Sequence, residues 1–213
     1  MIKGCIFDLD GVVVDTARYH YLAWKRLAEG LGFVFTEENN ERLKGVSRMA
    51  SLDILLEVGN LTLPDPEKQV LAAQKNQWYL EYIMTMTPDD ILPGVLPFIE
   101  KIRSIGLGIA LGTASRNART ILKQIDMSLA FDSIVDGNRV TRAKPDPEVF
   151  LIAAADLKLK PDQCLVFEDA IAGVEAAHNG GMKCIGVGKP EILTKADRII
   201  PGFEGATLRL IEF

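Results

Sequence analysis

The sequence is poor in histidine and cysteine, carries no surplus of positive charge and contains no long apolar run. Its 213 residues include two histidines and three cysteines. The formal net charge of -5 argues against a general nucleic-acid binder, which would carry a basic surplus. No apolar run approaches the roughly 20 residues needed to cross a bilayer. We therefore expect neither a nucleic-acid partner nor a membrane partner.

The three cysteines, Cys5, Cys164 and Cys184, all lie in apolar runs. This placement fits buried thiols better than disulfide bridges. The odd number of cysteines and the lack of a secretory segment favour a reducing compartment, so we expect a cytoplasmic protein. The length allows one sizeable hydrophobic core and a smaller second one.

Two acidic residues, Asp8 and Asp10, end the first apolar run, and Gly11 follows them. A short apolar run closed by glycine predicts a buried strand at its C-terminal end. Residues two apart on a strand point the same way, so both carboxylates aim at one spot. Such a pair suits acid–base chemistry or one side of a Mg²⁺ site, although a solvated turn is the alternative for this motif alone. A helix–loop–helix calcium loop is excluded, because Val13 and Tyr19 stand where it needs glycine and glutamate.

Hydrophobic periodicity divides the chain into a helical block and an alternating block. Residues 15–86 show consecutive helical patterns with no convincing strand. Beyond them, strands are predicted over 107–112, 131–135, 164–167, 183–187 and 198–200. Strands that alternate with helices predict a parallel sheet covered on both faces. We therefore predict an α/β fold, in which a Rossmann-like parallel sheet core of residues 1–14 and 87–213 carries an inserted helical domain of residues 15–86.

Capping residues mark the starts of the predicted helices. The pair Asp15-Thr16, Thr36 and Ser47 are candidate caps, and Asp65 followed by Pro66 is another start signal. The later helices are predicted over 94–105, 117–125, 147–157 and 170–179. Trp24 is interpreted as a core residue because it lies on the apolar stripe of the first helix.

Polar residues follow two more of the predicted strands. Thr113 and Ser115 come directly after the strand at 107–112, where hydroxyls and free backbone N–H groups can bind an anion, although plain helix capping needs the same residue types. Glu168 and Asp169 end the strand at 164–167. Two adjacent acids there suit a hard cation with oxygen ligands, although Asp169 is equally suited to cap the next helix.

Lys144 lies in an extended segment ahead of a predicted helix, because Pro145 follows it. A cation near a helix N-terminus is unfavourable for stability but useful for binding phosphate, and an exposed loop lysine is the alternative. The carboxyl ends of parallel strands meet at one edge of the sheet, where ligands bind. Carboxylates, an anion-binding turn and a lysine at that edge together indicate phosphoryl transfer, with an aspartyl-phosphate as a covalent option.

These motifs, in this order, resemble those of the haloacid dehalogenase superfamily. The matching motifs are Asp8-Leu9-Asp10-Gly11, Thr113, Lys144-Pro145 and Glu168-Asp169. The resemblance spans nearly the whole chain, and the helical insertion is similar to the small cap domain of that family. Residues 16–24, 43–51 and 114–117 are most similar to members of the family that act as phosphosugar mutases.

The resemblance implies a role for each matching residue. Asp8 would be the nucleophile and Asp10 the general acid/base, while Thr113 and Lys144 would hold the transferring phosphoryl group. Mg²⁺ would be held by Asp8, Asp10, Glu168 and Asp169. Arg48 would bind the distal phosphate. The other substrate-binding candidates are Thr16, His20, Lys44, Gly45, Val46, Ser51, Lys75, Ala114, Ser115 and Asn117.

The implied reaction converts β-D-glucose 1-phosphate into glucose 6-phosphate, with β-glucose 1,6-bisphosphate as activator and intermediate. The expected partner is a small sugar phosphate, and the expected state is a monomer. Two alternatives are a Mg²⁺-dependent sugar-phosphate phosphatase, in which water accepts the phosphoryl group, and a catalytically idle sugar-phosphate sensor. The intact set of Asp8, Asp10, Lys144 and Asp169 argues against the sensor. Residues 44–48 favour the mutase, because a mutase must hold a second phosphate.

Overall fold

A six-stranded sheet forms the centre of the computed structural model, which describes residues 1–43 and 46–213. Its strands are β1 (Gly4–Phe7), β2 (Gly108–Gly112), β3 (Ser133–Val135), β4 (Cys164–Glu168), β5 (Lys183–Val187) and β6 (Arg198–Ile200). The strand order is β3-β2-β1-β4-β5-β6, and every pair is parallel. The predicted parallel sheet is confirmed, with its strands at the predicted places.

The described residues contain eight α-helices. They are α1 (Ala17–Gly30), α2 (Glu37–Glu41), α3 (Arg48–Val58), α4 (Asp65–Ile83), α5 (Val95–Ser104), α6 (Ala118–Gln124), α7 (Glu148–Asp156) and α8 (Ile171–Asn179). Thr36 and Ser47 cap α2 and α3 as predicted, since their hydroxyls accept from the backbone N–H groups of Asn39 and Ala50. The start of α4 differs by one residue. Asp65 is already helical, because the extended backbone of Pro64 takes the capping position.

Side chains of the strands alternate between the two faces of the sheet. On β1, Cys5 and Phe7 belong to one apolar cluster and Ile6 to the other. The first cluster includes apolar residues of α5 and α6, and the second includes those of α7 and α8. A period of two is what a sheet buried on both faces requires. Helices therefore cover both faces of the sheet.

Four phenylalanines pack together beneath the carboxyl end of the central strands. Phe7 on β1 and Phe167 on β4 are stacked, with ring centroids 4.7 Å apart. Phe98 of α5 and Phe203 both lie against this pair, at centroid distances between 5.3 and 6.5 Å. All four are almost completely buried. The cluster therefore packs beside the last paired residues of β1 and β4.

Helices α1 to α4 enclose an apolar cluster of their own, which includes Trp24, as predicted for a core residue. Two chain segments connect these helices to the sheet, and the two segments are paired with each other. Val14 and Ile91 form an antiparallel bridge, and the N–H of Leu92 donates to the carbonyl of Val13 at 2.9 Å. The helices are therefore joined to the sheet through a short two-stranded connection.

The three cysteines belong to the two apolar clusters that flank the sheet. Cys5, Cys164 and Cys184 are buried free thiols, as predicted. Within residues 1–43 and 46–213, every helix is too short or too polar to span a membrane.

Asp197 connects the amino ends of β5 and β6, since it directly precedes β6 and binds the first two residues of β5. Its Oδ1 accepts from Lys183 Nζ at 2.6 Å, and its Oδ2 accepts from the Cys184 N–H at 2.9 Å and lies 2.9 Å from His178 Nε2. Partial burial alone would raise the pKa of Asp197, but the hydrogen bonds from Lys183, Cys184 and His178 lower it to about 2. The ionised carboxylate therefore stabilises the folded state.

Asp197→Asn tests this contribution. The unfolded pKa of an aspartate is about 3.9, so a lowered folded pKa adds stability that is present above that pH and is lost as the pH falls toward 2. We expect the variant to lose about 1–3 kcal/mol of unfolding free energy at pH 7 in urea. The difference in unfolding free energy between the variant and the parent should decrease as the pH falls from 5 to 3. Asp162→Asn, an exposed site, is the control, and a constant difference across this pH range would contradict the assignment.

Candidate active site

A cavity of about 480 Å³ lies between the carboxyl end of the sheet and helices α1, α3 and α4. The strand register explains its position. Phe7 on β1 is paired with Leu111 on β2 and Phe167 on β4, so the three strands end at the same level. The polar residues that follow them emerge side by side, at the edge where parallel sheets bind ligands.

Lys144 occupies the floor of the cavity, between carboxylates from two strands. Its Nζ donates to Asp8 Oδ1 and to Glu168 Oε1, both at 2.6 Å. Burial alone would lower the pKa of Lys144, but the charges of Asp8 and Glu168 raise it above its usual value. The lysine is therefore a buried, permanently charged cation, and its interpretation as an exposed loop lysine is wrong.

Glu168 is oriented toward Lys144 by a second hydrogen bond. Its Oε2 accepts from the N–H of Ala170 at 2.8 Å, so both carboxylate oxygens receive N–H donors. Gly173 makes room for this orientation, since a Cβ at that position would overlap the Glu168 carboxyl group. In this arrangement Glu168 positions Lys144, and its role as a direct Mg²⁺ ligand stays a prediction.

Asp10 has the environment of a group that exchanges a proton near neutral pH. Its N–H donates to Asp8 Oδ2 at 3.1 Å, and its Oδ1 accepts from the Thr16 hydroxyl. Burial and the negative charge of Asp8 raise the pKa of Asp10 to about 7, against the lowering influence of Thr16, Lys144 and Lys75. A carboxyl group with such a pKa is suited to general acid–base catalysis.

Thr16 stands at the capping position of α1, but its hydroxyl does not cap the helix. The hydroxyl instead donates to Asp10. Of the predicted Asp15-Thr16 cap, Asp15 Oδ1 accepts from the N–H of Ala17 at 3.2 Å, whereas Thr16 has the capping position without the capping hydrogen bond.

The donor set at this end of the cavity fits Mg²⁺. Asp8, Asp10 and Asp169 line it together, and a Cβ at Gly11 would overlap the Asp169 carboxylate, which places that carboxylate against the loop after β1. In residues 1–43 and 46–213, no group of three or more His, Cys, Asp and Glu side chains is arranged to hold a metal ion. A metal bound beside these carboxylates would therefore complete its coordination with water and substrate oxygens. Mg²⁺ is usually bound in this way.

The loop after β2 is folded by its own hydroxyl groups. Thr113 Oγ1 accepts from the N–H of Ser115 at 3.2 Å, and Ser115 Oγ accepts from the N–H of Asn117 at 3.3 Å. The N–H of Gly137 donates to the Ser115 carbonyl from the neighbouring loop. Helix α6 begins at Ala118 without a side-chain cap, so Thr113 and Ser115 do not serve as its caps. Their hydroxyls shape the cavity wall instead.

Lys75 and His20 meet on the helical side of the cavity. Lys75 Nζ lies 2.9 Å from His20 Nδ1 and above the rings of Trp24 and Tyr79, at 4.4 and 4.7 Å from their centroids. Lys75 is buried, although its mid-helix position is typical of a solvated lysine. Burial, together with the positive charges of Lys75 and Arg48, holds the pKa of His20 well below its usual value. The imidazole is therefore neutral.

Arg116 is a cavity residue that the sequence analysis missed. It lies between Ser115 and Asn117 on the loop after β2, whereas Arg48 begins α3 on the opposite side. Burial lowers the pKa of Arg48, and the nearby Arg116 guanidinium lowers it further. Two guanidinium groups that line one cavity are suited to bind an anion. The sequence signal was present in the stretch 114–117, but Arg116 was assigned no role.

Most of the predicted site residues line this one cavity. These are Asp8, Asp10, His20, Val46, Arg48, Ser51, Lys75, Thr113, Ala114, Ser115, Asn117, Lys144 and Asp169. Thr16 and Glu168 lie behind the lining, in contact with Asp10 and Lys144. Lys44 and Gly45 lie outside the described residues. Asn76 and Arg142 line the cavity without having been predicted.

Known proteins resemble the chain over most of its length. The family model for haloacid dehalogenase-like hydrolases matches residues 2–181. Beta-phosphoglucomutase of Bacillus subtilis (strain 168) is 41% identical over 212 residues, which cover 99% of this chain and 94% of that protein. A phosphorylated carbohydrates phosphatase of Thermotoga maritima is 34% identical over 188 residues, or 86% of this chain and 84% of that protein. The crystal structure of beta-phosphoglucomutase from Clostridium difficile has a TM-score of 0.94 and 40% identity, covering 99% of this chain and 96% of that one.

Gly173→Ala tests how Glu168 is positioned. Because the new Cβ would overlap the Glu168 carboxyl group, we expect the variant to lose about 1–3 kcal/mol of unfolding free energy, measured in urea. Gly30→Ala is the matched control, because this helical glycine has open space around its Cβ position. Alanine there should be neutral or stabilising by up to about 1 kcal/mol. Equal stabilisation by both substitutions would contradict the placement of Glu168.

Proposed function

The chain belongs to the haloacid dehalogenase-like hydrolase family, and from this premise we propose that it interconverts β-D-glucose 1-phosphate and glucose 6-phosphate, the reaction of a β-phosphoglucomutase. One observation carries the proposal. The floor of the cavity holds Asp8, Asp10 and Lys144, while Arg48 and Arg116 form a second cationic site in the same cavity. An enzyme that moves a phosphoryl group within a doubly phosphorylated sugar needs both sites.

Asp8 is the proposed nucleophile. Its Oδ1 is held by Lys144 and its Oδ2 by the N–H of Asp10, so the carboxylate is fixed before substrate binds. One carboxylate oxygen attacks phosphorus, and the bond between phosphorus and the sugar oxygen breaks. The products are an Asp8 acyl phosphate and a sugar hydroxyl. Lys144 and Thr113 are proposed to hold the phosphoryl oxygens, since positioning and charge neutralisation dominate this chemistry.

Asp10 is the proposed acid and base. In the first transfer its protonated carboxyl group gives a proton to the leaving sugar oxygen. In the second transfer the carboxylate takes a proton from the sugar hydroxyl that attacks the phospho-Asp8 group. Its pKa of about 7 supports both roles near neutral pH. Thr16 donates to its Oδ1 and positions the group.

A cation and a bisphosphate complete the proposal. Mg²⁺ would be held by the carboxylates of Asp8 and Asp169 and by the backbone carbonyl of Asp10, and it would neutralise charge on the transferring phosphoryl group. β-Glucose 1,6-bisphosphate would be the intermediate, and it would also phosphorylate Asp8 to start the cycle. The second phosphate of the bisphosphate is proposed to lie between Arg48 and Arg116.

Helices α1 to α4, within residues 15–86, are proposed to act as a cap over the sheet. They carry His20, Arg48 and Lys75 into the cavity that the loops of the sheet form from the other side. A closed cap excludes water, so that a sugar hydroxyl and not water accepts the phosphoryl group. Two relatives of the chain are named as sugar-phosphate phosphatases, so a sugar-phosphate phosphatase, in which water accepts the phosphoryl group, is the second candidate function.

The remaining expectations concern the state and location of the protein. We propose that it acts as a monomer on a small sugar phosphate. The three buried free thiols support a reducing compartment such as the cytoplasm.

The reaction is tested with purified protein, β-glucose 1-phosphate, Mg²⁺ and a trace of β-glucose 1,6-bisphosphate. We expect glucose 6-phosphate to form with little inorganic phosphate, and Asp8→Asn to show no detectable turnover because a neutral amide cannot replace the carboxylate nucleophile. Asp162→Asn is the matched control and should behave as the parent. Inorganic phosphate as the main product would favour the phosphatase instead.

Arg48→Ala tests the second phosphate site. Loss of a charged hydrogen bond of about 1.5–3 kcal/mol corresponds to a fall of about 10- to 100-fold in kcat/KM. Arg48→Lys should recover little of this, because lysine lacks the planar fork that binds phosphate in two places. Arg42→Ala, which removes another arginine of the helical part, is the control. Parental kcat/KM in Arg48→Ala would remove the argument for a mutase.

A further inference from the structure

One hydrogen bond joins helix α4 directly to the loop after β2. Asn117 Nδ2 on the loop donates to Asn76 Oδ1 on the helix at 3.0 Å. Both side chains are half-buried and both line the cavity. We propose that Asn76 is a positioning residue, and that its bond to Asn117 is a latch that keeps the helices closed over the phosphorylated Asp8. The inference rests on the proposed phosphoryl transfer.

The side chain of Asn117 is not used in the way its position would suggest. It is the N-cap residue of α6, where an asparagine side chain normally accepts from the first turn of the helix. No such bond is present, and the amide is turned to Asn76 instead. A favourable local hydrogen bond is thus given up for a contact between two parts of the molecule, which indicates that the contact has a role of its own.

The chemistry of the pair suits a latch that opens in every cycle. Two neutral amides form a hydrogen bond of modest net strength, which can break and re-form readily. A charged pair at this place would either attract or repel the anionic substrate. The amides add no charge beside Arg116, the neighbour of Asn117 that faces the anion site. The latch therefore leaves the electrostatics of the cavity unchanged.

The neighbours of the latch link it to the reacting groups. Asn76 follows Lys75, whose Nζ reaches His20, and Asn117 is bound to Ser115 through its N–H. A second contact in this region runs from Gln124 Nε2 to the sulfur of Met84, which is a weak acceptor. The amide pair is the stronger of these two connections. Its loss is therefore expected to weaken the contact between α4 and the loop after β2.

When α4 and the loop after β2 separate, water can reach phospho-Asp8. The water oxygen then attacks phosphorus, the bond between phosphorus and the Asp8 oxygen breaks, and Asp10 takes the proton. The products are inorganic phosphate and the free carboxylate. Asn76→Ala should therefore raise the ratio of hydrolysis to sugar transfer by about fivefold to tenfold, the Boltzmann weight of one ordinary hydrogen bond.

The test combines this ratio with amide hydrogen exchange of residues 113–118 in the ligand-free protein. We expect faster exchange there in Asn76→Ala, and parental exchange in Gln77→Ala, which removes the next and exposed side chain of α4. Asn76→Asp keeps an acceptor oxygen for Asn117 Nδ2 and should restore slow exchange, while its charge raises KM for the sugar phosphate.

A double-mutant cycle tests whether the effects of Asn76 and Asn117 depend on the hydrogen bond between them. Asn76→Ala added to Asn117→Ala should change neither exchange nor the ratio any further. Parental exchange in Asn76→Ala, or fully additive effects of the two substitutions, would overturn the latch. If the parent itself releases only inorganic phosphate, the proposed mutase reaction fails, and exchange and KM alone then support or reject the latch.

Discussion

The site depends on one buried cation that is held between carboxylates from two neighbouring strands. Lys144 lies 2.6 Å from both Asp8 and Glu168. Without it, two carboxylates would face each other in a region of low dielectric constant, where at least one would have to take up a proton. The three residues come from distant parts of the sequence. They meet because β1 and β4 pair in register and the segment that carries Lys144 returns across the ends of these strands.

Charge balance explains why this arrangement is both stable and incomplete. Lys144 compensates one of its two partners, and Asp169 adds a further carboxylate to the same end of the cavity. A phosphoryl group would bring still more negative charge, which the proposed Mg²⁺ would compensate. Asp10 avoids the excess in another way, because its pKa of about 7 allows it to remain protonated part of the time. The same electrostatics that would destabilise an empty pocket prepare it for a phosphate ester and its metal.

The sequence was most informative where a local pattern has a single structural solution. Short apolar runs ended by glycine or acid predicted the strands, and their order predicted which polar ends would meet. Patterns with two solutions were not resolved. Thr16 has the sequence position of a cap, and only its tertiary contact with Asp10 shows that the hydroxyl is used elsewhere. Lys75 looks solvated until α1 packs against α4. Asn76 carries no periodic or motif signal that separates it from a surface residue. Arg116 lies in a stretch that resembles the family, but that resemblance assigns it no role.

The two segments that join the helices to the sheet are tied to each other, through Val14 with Ile91 and Val13 with Leu92. Two connecting segments that are hydrogen-bonded side by side can bend together about one axis, but they resist twisting and sliding relative to each other. The relative motion of the two parts is thereby reduced toward a single degree of freedom. Arg48 and Lys75 then return to the same alignment above Asp8 after each excursion, so the accuracy of the reassembled pocket is set by the connection as well as by the contacts inside it.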